Sequence, residues 1–222
     1  MSAVNILLQA DRAVLCTDTK VTTADGVQYN AVKFAVLPWL QMAIAVRGHV
    51  GALRVFERAI ACNASTYEGS VQLLAERFAD ILAEAYVDAS EAFAMTQDLD
   101  VYVVGLGING PAAHWASNYR TGGQVRRIDG VHVSPMVDLD AQRRYADDPR
   151  ANLPVLMADQ TRQNPAVGGW MIVTEISASG IRTYPLGGLD ALSSVGSRMQ
   201  PQEEIAALAA IEAANAKRAT KS

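Results

Sequence analysis

Ser2 is the residue of this chain whose type and place point most directly to chemistry. It stands immediately behind Met1, so loss of that methionine leaves a free α-amine and a hydroxyl on one residue. An amine and a hydroxyl held together are a base and a nucleophile. The chain opens on this stretch without the basic and apolar segments of a signal peptide in front of it. Residues 4–9 are apolar and compatible with a strand, Ala10, Asp11 and Arg12 make a turn, and residues 13–19 make a second strand. A turn centred on Ala10 and Asp11 sets Ser2 opposite Thr19; one centred on Asp11 and Arg12 sets it opposite Val21. Either register brings Ser2 within three residues of Asp18 and within one of Lys20. Side chains alternate along a strand, so Cys16, Asp18 and Lys20 share a face.

The composition narrows what this hairpin can belong to. The chain has 222 residues, half of them hydrophobic, and a net charge of −4. That suits one large domain with a sizeable core and argues against a nucleic-acid binder, which would show a basic face. No apolar run approaches the roughly 20 residues of a membrane helix. The two cysteines, Cys16 in an apolar strand and Cys62 in an apolar helix, fit no metal spacing and read as buried free thiols of a reducing compartment. The expectation is a soluble cytoplasmic protein. His49, His114 and His132 are spread out without ligand spacing, so neither a metal nor a cofactor is implied.

The remaining elements follow in order. Residues 21–29 contain Thr23-Ala24-Asp25-Gly26 and read as a loop. Residues 31–37 form a strand with one charge, Lys33, ended by Pro38, and residues 40–46 pair back on it. Arg47-Gly48-His49-Val50-Gly51 leads into a helix over residues 52–63, where Leu53, Val55, Phe56, Ala59 and Ile60 recur at helical spacing. An amphipathic helix follows Gly69 and carries Val71, Leu74, Phe78, Ile81 and Ala85, with its pattern running on to about Ala94. Residues 99–108 and 112–118 form a hairpin, and 124–134 a further strand. A helix follows Pro149, and residues 170–177 and 180–186 form a last hairpin. Residues 202–217 form an Ala-rich helix with Glu203 and Glu204 in its first turn and Lys217 near its end, which complements the helix dipole. Strands arriving as hairpins and helices arriving in pairs imply an α+β fold, two mainly antiparallel sheets with helices outside. The domain reading is a single unit over residues 1–200, followed by a C-terminal helix and tail over 201–222.

Taken together, Ser2, the strand ending Leu15-Cys16-Thr17-Asp18, Lys33 within AVKFAVL, and IAVRGHVGALRVFER resemble the opening quarter of the N-terminal nucleophile (Ntn) hydrolases, and specifically of a proteasome β-type subunit. The resemblance implies a four-layer αββα sandwich. It also implies a homo-oligomer and hydrolysis of amide or peptide bonds. In that reading Ser2 attacks the carbonyl and its own amine, with an unperturbed pKa of about 7.7–8.0, takes the proton. Lys33 supplies a buried positive charge, Asp18 holds and compensates it, and the backbone N–H of Gly48 donates to the oxyanion.

The chain departs from that pattern in the loop before Gly168-Gly169. Asn164 stands where an acid is expected and Val167 where a hydroxyl is expected. A supporting serine is expected near residues 130–135, where His132 and Ser134 are the candidates to replace it. His49 has a functional claim of its own as the neighbour of Gly48. These departures keep a second reading open, that of a catalytically silent, proteasome-like structural or assembly protein of bacterial or phage origin.

Overall fold

The computed structural model describes residues 2–23, 26–87, 98–138, 140–141, 143, 145, 148 and 151–189. In chain order its strands are β1 (Val4–Leu8), β2 (Arg12–Asp18), β3 (Lys20–Thr22) and β4 (Gln28–Asn30). Then come β5 (Phe34–Leu37), β6 (Met42–Arg47), β7 (Asp100–Gly107) and β8 (Gly110–Ser117). The last four are β9 (Arg126–Ile128), β10 (Val131–Ser134), β11 (Trp170–Ser177) and β12 (Gly180–Gly188). Among the described residues, three helices can be given bounds: α1 (Ala52–Asn63), α2 (Tyr67–Val87) and α3 (Leu153–Gln163).

Ten of these strands make two five-stranded antiparallel sheets, ordered β10-β1-β2-β11-β12 and β5-β6-β7-β8-β9. The N-terminal hairpin lies inside the first sheet, flanked on both sides. Val4 pairs with Thr17 and Leu8 with Ala13, the register in which Ser2 falls opposite Thr19.

Alternation along the strands sorts their side chains into separate cores. Val4, Ile6, Ala13 and Leu15 of the first sheet meet Phe34, Ala43, Ala45, Tyr102 and Val104 of the second. The opposite parity of the first sheet, Ala3, Leu7, Val14 and Cys16, packs against Leu153, Leu156 and Met157 of α3. The opposite parity of the second, Met42, Ile44, Val46, Val101 and Val103, packs against Leu53, Phe56, Leu74 and Phe78 of α1 and α2. The structure is α+β, and every sheet face named here is covered.

Several local expectations are corrected. Residues 21–29 are not wholly loop: β3 and β4 pair as a short hairpin, hidden from the sequence because Gln28, Tyr29 and Asn30 are all exposed and carry no apolar alternation. Lys33 precedes β5 rather than sitting inside it. The strand expected from residue 40 begins at Met42, because Pro38–Leu40 curl into a 3-10 turn that ends on Gln41 with φ 49°. The strand expected over 124–134 is two, broken at Asp129-Gly130. β9 closes the second sheet, whereas β10 crosses to β1 in the first, helped by the Leu8 N–H donating to the Gly130 carbonyl at 2.7 Å. Cys62 is exposed rather than buried, since it lies off the α1 stripe of Leu53, Phe56 and Ile60. The stretch of helix expected between residue 87 and Ala94, the helix over 202–217 and the boundary at 200/201 lie outside the described residues.

Candidate active site

The ends of β1, β2 and β6 and the residues before β5 meet at one edge of the two sheets, and Asp18 is the hub. Its Oδ1 accepts from the backbone N–H of Ala3 at 2.8 Å and from Lys33 Nζ at 2.8 Å. Its Oδ2 accepts from the backbone N–H of Gly168 at 3.0 Å. All three partners are donors, which suits the ionised carboxylate, an acceptor-only group. Asp18 is 0% and Lys33 1% exposed, so the pair sits out of water. Burial pushes the Asp18 carboxyl up, opposed by Lys33 and by the two backbone N–H groups. Burial likewise pulls the Lys33 ammonium down, opposed by Asp18. Lys33 also donates to the Lys20 carbonyl, which places the ammonium between the end of β2 and the start of β3.

The sequence dictates this geometry locally. The register of the hairpin carries Ala3 past Asp18, so the residue bonded to the carboxylate is the one directly after Ser2. Lys33 is held from behind by the N–H of Val46, which donates to its carbonyl at 3.1 Å. That bond ties Lys33 to the end of β6, two residues before Gly48. Gly168 enters through the lead-in to β11, where its carbonyl accepts from the N–H of Lys20 at 3.0 Å. Gly169 follows with φ +75°. A Cβ there would lie 2.2 Å from Asn30 Oδ1 and 2.5 Å from Thr19 Oγ1, so only glycine permits this close approach. Thr19 Oγ1 in turn donates to Asn30 Oδ1 and accepts from the N–H of Trp170, both at 2.8 Å.

Gly48 follows directly on Arg47, with φ +114°, and a Cβ on it would lie 2.2 Å from the carbonyl oxygen of Asp98. Both the conformation and the space demand glycine. Ser2 is buried, 6% exposed, at the chain end that β1 brings to the same edge. The structure thus joins Asp18 and Lys33 directly, links the residue after Ser2 to them, and ties the strand leading to Gly48 to Lys33 through one backbone bond.

The substitute residues fare unequally. Asn164 ends α3 and folds its own loop, with Oδ1 accepting from the Ala166 N–H at 3.0 Å and its carbonyl from the Val167 N–H at 3.0 Å. Val167 is buried in the core beneath α3. Ser134, also buried, pairs across β1 with Val4, next but one to Ser2. His132 pairs with Ile6, four residues along β1 from Ser2 or about 13 Å at the usual rise, and cannot support its amine. His49 lies in the turn into α1, where its carbonyl accepts from the N–H of Ala52 at 3.1 Å and burial lowers its pKa.

A feature that the sequence did not disclose lies beside Gly48. Arg47 Nη1 is 2.6 Å from Asp100 Oδ2, with side-chain exposures of 5% and 0%. Its signal was a charge at the end of each of two apolar strands, Arg47 closing β6 and Asp100 opening β7. Two cavities, of about 350 Å³ beside α2 and about 470 Å³ beside α3, are lined by none of Ser2, Asp18, Lys33 and Gly48. Among the described residues no three His, Cys, Asp or Glu side chains come together in a group able to hold a metal ion. No described helix is long and apolar enough to cross a membrane.

No protein-family model and no curated protein matches the chain. Solved structures do. An Anbu (Gly-1) mutant from Hyphomicrobium sp. strain MC1 superposes with a TM-score of 0.64 at 10% identity, over 89% of this chain and 94% of that one. Anbu from Pseudomonas aeruginosa, solved as a helical assembly of the complex, superposes with a TM-score of 0.64 at 13% identity, over 87% of this chain and 90% of that one. The chain has the proteasome-like Ntn hydrolase fold. In the proteasome-like fold seen here, the N-terminal hairpin lies inside one sheet, and Lys33 reaches it from the residue just before β5, the edge strand of the other.

Proposed function

We propose that the chain is a proteasome-like Ntn hydrolase that cleaves amide or peptide bonds with Ser2 as nucleophile once Met1 is removed. The observation that carries the reading is the double hold of Asp18 Oδ1, which binds the buried Lys33 ammonium and the N–H of the residue after Ser2. A positive charge there favours a deprotonated nucleophile, and the serine's own amine, titrating near neutrality, takes the proton. Gly48 N–H serves the oxyanion, a donor whose loss typically costs about 2.7–4 kcal/mol of barrier stabilisation. The helix-covered sheets are read as the four layers of an αββα sandwich, and the chain as one domain with a C-terminal helical tail. The active form is a cytoplasmic homo-oligomer, a reading supported by the helical assembly of a structural neighbour and by free Cys16 and Cys62.

The test is intact mass followed by labelling with an epoxyketone or β-lactone. The expected result is a chain lacking Met1 that is labelled, and a Ser2→Ala variant that is not. Complete retention of Met1, or equal labelling of both proteins, would overturn the Ser2 mechanism. A second reading, a catalytically silent assembly protein, is favoured by one observation. The loop before Gly168 offers Asn164, whose Oδ1 accepts from the Ala166 N–H, and a buried Val167 in place of an acid and a hydroxyl.

A further inference from the structure

We infer that Arg47 and Asp100 are positioning residues for the Gly48 N–H, and that Tyr102 and His132 extend their hold from the second sheet to the strand beside β1. This rests on the hydrolase reading above. Arg47 and Asp100 are direct partners in the β6–β7 ladder and lie on the parity that faces the other sheet, as Ala45 and Tyr102 do. Gly48 follows Arg47 without an intervening residue, and a Cβ on it would lie 2.2 Å from the carbonyl oxygen of Asp98, two residues before Asp100. The Arg47–Asp100 contact of 2.6 Å therefore closes a small loop around Gly48, strand against strand and guanidinium against carboxylate.

The network continues with a defined direction. Tyr102 Oη lies 3.3 Å from Asp100 Oδ2 and 3.3 Å from His132 Nε2. Asp100, facing Arg47, accepts, so the single phenolic proton points to it. His132 must then carry its proton on Nε2 and donate to Tyr102. Trp115 completes the packing, stacked on Tyr102 at 6.1 Å and tilted against His132 at 5.7 Å between ring centroids. His132 belongs to β10, whose residues pair with β1 from Val4 to Leu7. Chain by chain, the connection runs from Gly48 through Arg47, Asp100, Tyr102 and His132 to the strand flanking the one that begins behind Ser2. Lys33–Asp18 is a further polar tie, from the residue before β5 to the end of β2. Together they fix the proposed oxyanion donor and the proposed nucleophile in one frame.

A buried ion pair is weak evidence for stability, because desolvation offsets much of the attraction and an apolar pair of similar size often serves the fold as well. Geometry is what such a pair can secure, and geometry matters here because small misplacement of a reacting group can cost about 100-fold in rate. The experiment compares wild type with the double variant Arg47→Met/Asp100→Leu and with His132→Leu and His132→Gln. The readouts are labelling kinetics with a β-lactone, hydrogen exchange of the segment containing Gly48, and thermal unfolding. The double variant is expected to keep its unfolding temperature, to lose roughly 10–100-fold in the maximal labelling rate with the half-saturating concentration unchanged, and to exchange faster at Gly48. His132→Leu is expected to move the same way by less, and His132→Gln, which retains an N–H donor, to restore it. Equal maximal rates in wild type and the double variant would overturn the inference and leave the hydrolase reading standing. If wild type is not labelled at all, the hydrolase reading fails, and exchange decides. Faster exchange at Gly48 in the double variant keeps the positioning role, and unchanged exchange overturns it.

Discussion

Lys33 Nζ lies 2.8 Å from Asp18 Oδ1, and the two side chains are 1% and 0% exposed. Removing one member leaves the other charged, buried and unpaired, a loss of about 3–5 kcal/mol where such pairs have been broken. Lys33→Ala is expected to abolish labelling of Ser2 while the protein stays soluble, with its denaturation midpoint well below wild type. Undiminished labelling would remove Lys33 from the site.

Gly48 tests the backbone rather than a charge. With φ +114° and the Asp98 carbonyl 2.2 Å from a would-be Cβ, Gly48→Ala adds a strained conformation worth about 1–3 kcal/mol to a direct collision with backbone. The expected outcome is a stability loss of at least that size by denaturant unfolding. A loss below about 1 kcal/mol would show that the turn relaxes and that its conformation is not enforced.

These two residues also show how much was legible in advance. α1 runs over residues 52–63 as read, because its apolar stripe is long and lies behind Gly48 and Gly51. The hairpin register was one of the two allowed by its turn. Lys33, just before β5, and Asp18, at the end of β2 in the other sheet, could be joined only through the family resemblance, since no local rule pairs them. Arg47 and Asp100 stayed hidden for a related reason. They are 53 positions apart, and α1 and α2 lie between their strands, so nothing in the sequence announces that β6 and β7 are neighbours. Cys62 is exposed because the buried face of α1 is made by Ala52, Leu53, Val55, Phe56 and Ile60, and position 62 lies off it.

His132 predicts a pH dependence of stability. Burial pulls its pKa down to about 4; Asp100 acts in the opposite direction, and Arg120 and Arg47 add to the lowering. The unfolded imidazole, near 6.5, takes up a proton that the folded one refuses, so unfolding gains as pH falls from about 6.5 towards 4. The His132 contribution is complete above that window and lost as pH falls through it. His49 and His114 are also lowered by burial, so the informative quantity is a difference. Wild type should lose more unfolding temperature between pH 7 and 4 than His132→Gln does. Parallel curves would show that His132 does not titrate in this range.

The cysteines give the least demanding check on the layer order. Cys16 is fully buried between β2 and the α3 side of the first sheet, whereas Cys62 faces out from α1. A thiol reacts as its thiolate. Burial pushes the Cys16 thiol far up, and the Asp18 carboxylate adds to the rise. A chromogenic disulfide reagent at neutral pH should therefore titrate one thiol per native chain quickly and the second only as the fold opens. Cys62→Ser should abolish the fast phase and leave the slow one, and denaturant should merge the two in wild type. A fast phase that survives Cys62→Ser would place Cys16 at the surface, and with it the face of β2 that α3 is described as covering.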